Sequence, residues 1–558
     1  MTRRTAITHG AALTAASAAA QQSSATGHWK ITPEMVAAHD RAVDDLLKRQ
    51  TIDKTSPWLG GLADRYGIHN GGSACGIILT FATCLTHEAS RHYNSGLVQE
   101  RLALAVGFLD RKLTSDGNLD LLITNFNSPP DSAFGMYAMA PAVHLARKAN
   151  KPELERAIAP ALKRMAEGIA RGGVHTPNHR WVMCAALAQA HVLFPNPVWL
   201  KRIDDWLAES IDIDSDGQYS ERSTSGYNII VDRALIVIAK KLGRPQLLEP
   251  VRRNLDSLMY LLHPGNEVVT EISKRQDQYT RGAVAGYWFA LRTLAVADGN
   301  GQYEFLARLG GPGLSDLLEY PELSVSGPEP KPILTDYEKQ MPAIGIARIR
   351  RGDTSATPMM GGTSRLFSLR RGAAVVGAVR FAGSFFGKGQ FVPAQAERTS
   401  EGYVWTQSIE SGYYQPFGDG TVQPVGVEVW YQMRGKRKRT EVCRIEYRAE
   451  LKELPDGFRF RVSAQGANDL PVAIEINLQG EAGELTGCEP ALDVTDAFIL
   501  SNGKQATWRV GQDQVKFGPG IAGHQYTGLR GAEPKLSGKS VYLTGYAPFD
   551  HTLEFRWR

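Results

Sequence analysis

The chain has 558 residues, too many for one ordinary hydrophobic core, so two large domains are expected. With 43% apolar and 22% charged residues it has a globular composition, and its net charge of +5 suits an anionic ligand while being too weak and dispersed for a nucleic-acid surface. No apolar run reaches about 18 residues, which excludes a transmembrane helix, and the five cysteines (Cys75, Cys84, Cys184, Cys443, Cys488) show neither metal-type spacing nor a disulfide framework.

Residues 1–27 place Arg3 and Arg4 ahead of a small-residue, alanine-rich segment, the pattern of a twin-arginine export signal. They stay outside the fold argument, and the protein is expected to be secreted or periplasmic. From 28 to 312 apolar residues recur at three- and four-residue spacing. Helices are predicted at 33–49, 73–91, 96–113, 131–149, 152–171, 177–194, 197–210, 225–242, 245–262, 279–297 and 302–310.

Short connections alternate with long polar ones, and the helices behind the long ones start about 50 residues apart, near 73, 131, 177, 225 and 279. That is a helical-hairpin repeat, which stacks or closes on itself as an incomplete (α/α) toroid. In consecutive antiparallel hairpins every first helix points the same way, so these five N-termini belong at one common end. The first helices are also the richer in Ala, Gly and large apolar residues and should line the inside.

Residues 313–342 are proline-rich and read as a linker. Beyond them, over 343–558, the period becomes two: 364–381, 427–433, 443–451, 457–465, 472–480, 540–546 and 552–558 alternate apolar and polar residues between Gly, Asn and Asp turns. That predicts an antiparallel β-sandwich. The fold class is therefore α+β and multidomain, a helical-hairpin toroid followed by a β-sandwich.

Four long connections, at 116–131, 172–178, 214–228 and 263–281, should rim one cavity at the helix N-termini, where spare N–H donors and partial positive charge favour an anion. In "GGVHTPNHRW" (172–181), Thr176 is the expected N-cap and Pro177 the first helical residue, which leaves His175 just outside and Asn178, His179 and Arg180 in the first turn. "YSERSTSGYN" contributes Tyr219, Glu221, Arg222 and Tyr227. "KRQDQYTRG" contributes Lys274, Arg275, Asp277, Tyr279 and Arg281, and "TNFNSPPD" contributes Asn125 and Asn127.

Asn, His, Tyr and Arg with few carboxylates suit β-elimination on a uronic acid. Removing the weakly acidic C5 proton requires the substrate carboxylate to be neutralised by hydrogen-bond donors. A His or Tyr takes the proton and a Tyr or His protonates the leaving oxygen, while arginines grip carboxylates with paired bonds.

The order toroid then sandwich, with "PNHRW" (177–181) and "SERSTSGY" (220–227) on toroid loops, resembles the heparinase II/III-like and chondroitin/hyaluronate-type polysaccharide lyases. The resemblance implies that Asn178 neutralises the carboxylate, that His179 or His175 is the base, and that Tyr227 is the proton donor or a shared acid and base. It also implies that Arg180, Arg222 and Arg281 bind uronate groups of an anionic polysaccharide. Asn127, Tyr219 and Tyr279 complete the expected substrate-binding set.

Two alternatives stand beside this reading. A glycoside hydrolase would need two mouth carboxylates, for which Asp131, Glu221 and Asp277 are the candidates; a glycan-binding scaffold would need none. In the β region, the segment with Lys388, Gln390, Arg398, Tyr403 and Trp405 is either a sugar-stacking loop or sheet packing, and "RGKRKRT" (434–440) is a solvated hairpin turn able to help hold a polyanion. No metal, nucleotide or nucleophile-elbow motif occurs, so no cofactor is expected.

Overall fold

A computed structural model describes residues 29–418, 426, 429–480, 482–492 and 494–557; the expected export signal lies outside them. The chain divides into two compact units. One runs to Leu262 and again from Asn266 to Leu334, and the other takes His263–Gly265 and everything from Thr335 onward.

The first unit is an incomplete (α/α) toroid. It opens with α1 (Pro33–Arg49) and continues as hairpins: α2 (Gly71–Thr86) with α3 (Gly96–Lys112), α4 (Pro129–Lys148) with α5 (Pro152–Arg171), α6 (Pro177–Leu193) with α7 (Pro197–Leu207), α8 (Tyr227–Leu242) with α9 (Leu248–Leu258), and α10 (Trp288–Asp298) with α11 (Gly301–Ala307). Proline occupies the start of α4, α5, α6 and α7, where its missing N–H costs nothing and its fixed φ suits the helix.

The first helices pack in sequence, α2 on α4, α4 on α6, α6 on α8 and α8 on α10. They are the inner ring: every residue of α6 from Trp181 to Ala190 is buried. Small residues let them approach closely, and a Cβ added at Gly135 of α4 would lie 3.0 Å from the Cys75 sulfur of α2. Their partners are amphipathic. Helix α5 buries Leu154, Ile158, Leu162, Met165 and Ile169 along one stripe.

Three stretches differ from the sequence expectation. The predicted helix 279–297 begins only at Trp288, after a short 3-10 turn at Val284–Tyr287. The text "KRQDQYTRG" before it supplies no apolar stripe to pack, and its backbone instead folds around the buried Asp277 carboxylate. The loop before α4 contains a small hairpin, β1 (Leu119–Leu121) with β2 (Asn125–Ser128). The segment 313–342 is structured: α12 (Leu314–Glu319) and a 3-10 turn at Pro321–Ser324 bury Leu314, Leu317 and Leu323, and Asp336–Met341 is a strand of the second unit.

The second unit is a β-sandwich of an eight-stranded and a nine-stranded sheet. The first runs in the order Glu484–Thr486, Ala506–Val510, Asp513–Gly518, Phe549–Arg556, Gly457–Gln465, Arg439–Leu454, Gly402–Tyr414, Gln395–Thr399. Neighbouring strands are antiparallel except Ala497–Ile499 against Lys539–Ala547 in the second sheet. Alternation does what period two predicts: Phe458, Phe460, Val462 and Ala464 turn inward while Arg459 and Arg461 face out. Across the sandwich Phe367 meets Phe460 at 5.3 Å and Phe555 at 5.7 Å.

Trp405 and Tyr403 belong to this packing. Trp405 is wholly buried and donates to the Met359 carbonyl, and the Tyr403 hydroxyl donates to Glu338, so neither is a sugar-stacking platform. The predicted strand 427–433 lies partly outside the described residues; its described part enters a short helix, α13 (Trp430–Arg434).

Candidate active site

Helix α6 starts as its sequence predicts, with Thr176 at the N-cap and Pro177 first in the helix, but the Thr176 hydroxyl caps no backbone N–H. It accepts instead from the Asn178 side chain at 3.1 Å. The Asn178 carboxamide is fully buried, and its Nδ2 also donates to Glu221 Oε2 at 2.6 Å. Its Oδ1 is buried with no partner among the described residues.

His179, one residue on, is buried with Nδ1 likewise unpartnered among the described residues. Its ring meets Phe134 of α4 edge-on at 6.0 Å and the exposed His175 at 4.7 Å. Burial pushes its pKa down to about 4, and the neighbouring His175 and Arg275 reinforce this against the opposing pull of Asp131. His179 is therefore a neutral imidazole over the whole physiological range.

Glu221 connects this helix start to the next. Its other oxygen lies 3.5 Å from Arg275 Nε, and the Arg275 guanidinium sits 4.9 Å from the ring centroid of Tyr227. Tyr227 opens α8, its N–H held by Ser223 Oγ at 3.0 Å, and its hydroxyl accepts from Gln276 Nε2 at 3.2 Å. Desolvation raises the Glu221 carboxyl above the usual range, with the Asn178 hydrogen bond and the Arg275 charge pulling the other way.

Asp277 sets the position of Arg275 and Gln276. Buried, it accepts from Ser223 Oγ at 2.9 Å, from the Ser225 N–H at 3.2 Å and Oγ at 3.1 Å, and from Ser273 Oγ. It thus ties the loop before α8 to the loop before α10.

Contacts link Asn178 through Glu221 and Arg275 to Tyr227, Gln276 meets the Tyr227 hydroxyl, and His175 meets His179. Other expected ligands are engaged elsewhere. Arg180 pairs with Asp212 at 2.9 Å and Glu209 at 3.0 Å. Tyr219 is buried and donates to Asp232 at 2.7 Å, its phenol held well above the ordinary range by burial. Asn127, at positive φ, organises its own turn by accepting from Thr114 and donating to Asp116, and the exposed Arg281 pairs with Glu267. Arg222 and Tyr279 are half-buried, both at positive φ, with Arg222 lying 3.9 Å from Asp214.

The hydrolase candidates are similarly committed. Asp131 accepts from Ser128 Oγ at 2.6 Å and Asn125 Nδ2 at 2.8 Å, Asp277 is the loop tie just described, and Glu221 is held by Asn178 and Arg275. Gln276 carried no sequence signal. Arg275 stood in a charged run that singles out none of its members, and Glu221 stood out only as a possible acid.

No protein-family model matches the chain, and no curated protein is similar to it. Solved structures share its fold. The chondroitin AC lyase of Streptomyces coelicolor A3, in complex with chondroitin sulphate, is 12% identical with a TM-score of 0.54, covering 97% of this chain and 82% of that one. Heparinase III is 12% identical with a TM-score of 0.53, over 94% and 84%. A Paenibacillus xanthan lyase is 10% identical with a TM-score of 0.57, over 96% of this chain and 59% of its own. The chain has the fold of these polysaccharide lyases.

Proposed function

We propose that this protein is a polysaccharide lyase that cleaves a uronate-containing glycan by β-elimination, working outside the cytoplasm after twin-arginine export. The observation that carries the reading is the continuous link Asn178–Glu221–Arg275–Tyr227 beside a neutral His179 whose Nδ1 has no hydrogen-bond partner among the described residues. It joins three loops at the helix N-terminal end, in a fold whose solved examples include three polysaccharide lyases.

The His179 imidazole takes the C5 proton. The electron pair of that C–H bond forms the C4–C5 double bond, the C4–O bond breaks, and Tyr227 Oη delivers its proton to the leaving oxygen. Arg275 over the Tyr227 ring and Gln276 on its oxygen stabilise the negative charge left there.

Asn178 neutralises the substrate carboxylate, and Glu221 governs how. With Glu221 ionised, the amide turns its N–H groups to Glu221 and Thr176, and its Oδ1 has no partner among the described residues. With Glu221 protonated, the carboxyl O–H donates to Oδ1. The amide then makes a half-turn and Nδ2 faces the substrate. A bound carboxylate raises Glu221, so substrate binding and protonation of Glu221 favour each other. The commitments of Asp131 and Asp277 weigh against a carboxylate-pair hydrolase.

The test is incubation with polyglucuronate, polygalacturonate, polymannuronate, chondroitin sulphate, heparan sulphate and xanthan while the ultraviolet band of unsaturated uronates is followed. A rise with at least one polymer is expected. New reducing ends without that band would make the protein a hydrolase, and neither signal would remove the lyase reading.

A further inference from the structure

The β-sandwich unit carries an exposed aromatic and basic surface that the proposed reaction leaves unused. It lies at the connection between strands Gly402–Tyr414 and Arg439–Leu454, where α13 sits. Tyr431 is 72% exposed, Trp430 41% and Tyr414 40%. Two arginines interleave with the rings: Arg434 lies 5.2 Å from the Tyr431 centroid and 6.0 Å from that of Tyr414, and Arg437 lies 4.1 Å from Phe417 and 4.7 Å from Trp430. Among the described residues neither guanidinium has an ion-paired carboxylate; of the run Arg434–Arg439 only Arg439 does, meeting Glu410 at 2.7 Å. Lys436 and Lys438 extend the charge, and both are exposed.

Large exposed aromatics gathered on one face cost solubility unless something covers them. Arginines with no ion-paired carboxylate among the described residues, Arg437 donating only to the Gln415 carbonyl, state the charge of what does. We propose that this surface binds an acidic polysaccharide chain, with sugar ring faces stacking on the aromatic rings and carboxylate or sulphate groups meeting Arg434, Arg437 and the flanking lysines. A glycan is favoured over a nucleic acid because the net charge of the chain is only +5, whereas a nucleic-acid surface needs a broad basic field. The choice of an acidic glycan rests on the lyase reading, but the surface binds without turning substrate over.

The experiment uses the full chain carrying Asn178→Ala to silence turnover, with binding measured by affinity electrophoresis in chondroitin sulphate, heparan sulphate and polyglucuronate. Trp430→Ala with Tyr431→Ala should weaken retention by at least one polymer about tenfold, and Arg434→Gln with Arg437→Gln by a similar factor, with Tm unchanged since all four side chains are exposed or half-buried. Retention within about twofold of the parent for every polymer overturns the proposal, as does single-stranded poly(dT) binding as tightly as the best glycan. Failure of the lyase reading looks different: the chain with Asn178 intact would release no ultraviolet-absorbing product, while the aromatic double variant would still lose glycan retention.

Discussion

Glu221→Gln and Glu221→Ala should part company. The Asn178–Glu221 hydrogen bond is 2.6 Å long between buried partners, and a bond to a charged group contributes about 1.5–3 kcal/mol. Ala removes it and strands a buried amide, so Glu221→Ala should lose about 2–3 kcal/mol, discounted on the Arg275 side because that guanidinium is partly exposed. In a unit of this size that lowers Tm by roughly 3–5 °C. Turnover should fall about 10²–10³-fold, the usual loss when one preorganised donor to a developing oxyanion is misplaced.

Gln behaves as the protonated acid does: its amide donates to Asn178 Oδ1 and turns Nδ2 outward. Glu221→Gln should therefore keep kcat/KM at its acid-side value and hold it as pH rises. The wild type should lose about tenfold per pH unit once Glu221, raised above its ordinary 4.5, ionises. Folding carries the same sign. The raised carboxyl binds its proton more tightly when folded, so its stabilising effect is full below pH 4.5 and disappears as pH climbs through the folded value. The assay is initial ultraviolet absorbance on the responsive polymer at several pH values, with Tm recorded beside it. A Gln variant that retains the wild-type decline with pH, or loses turnover as the Ala variant does, refutes the proton-controlled amide.

Tyr227→Phe should cut kcat about 10²–10⁴-fold with Tm shifted by little, since its half-exposed hydroxyl meets only Gln276 among the described residues; near-normal turnover would remove it as the acid. His179, with a pKa near 4, is protonated less readily folded than unfolded, so stability is full above about pH 6.5 and is lost as pH falls toward 4. For this group alone the loss is on the order of 3 kcal/mol. His179→Gln should flatten that acid slope in urea titrations and abolish absorbance change, and an unaltered slope would show that the ring is not desolvated. Tyr219→Phe should lower stability by about 1–3 kcal/mol through the orphaned Asp232 carboxylate while leaving kcat within about threefold; a selective loss of kcat would return Tyr219 to the reaction.

Periodicity made the architecture legible because repeated helical hairpins and alternating strands each bury one face, and that face is written in the text. Helix α6 begins at Pro177 as its proline and threonine require, and Phe458, Phe460 and Val462 turn inward on schedule. The placement of Asn178, His179 and Tyr227 at helix starts was legible because two repeats open on polar residues there. Arg180 was misplaced by the same logic: its backbone position is right, but a long side chain reaches Asp212, and nothing in helical spacing says so. Glu221, Arg275 and Gln276 depend on loop conformation, and the loop before α10 takes its shape from hydrogen bonds to one buried carboxylate. Asp277 draws its donors from serines up to 54 positions away, a relation no local pattern records.

That carboxylate also couples the candidate site to the last repeat. Because Asp277 holds Arg275 and Gln276 against Tyr227 from the last repeat, a local opening of that repeat would separate the proposed catalytic groups while the earlier hairpins keep their packed helices. Inactivation should therefore precede loss of the helical circular-dichroism signal and reverse on cooling.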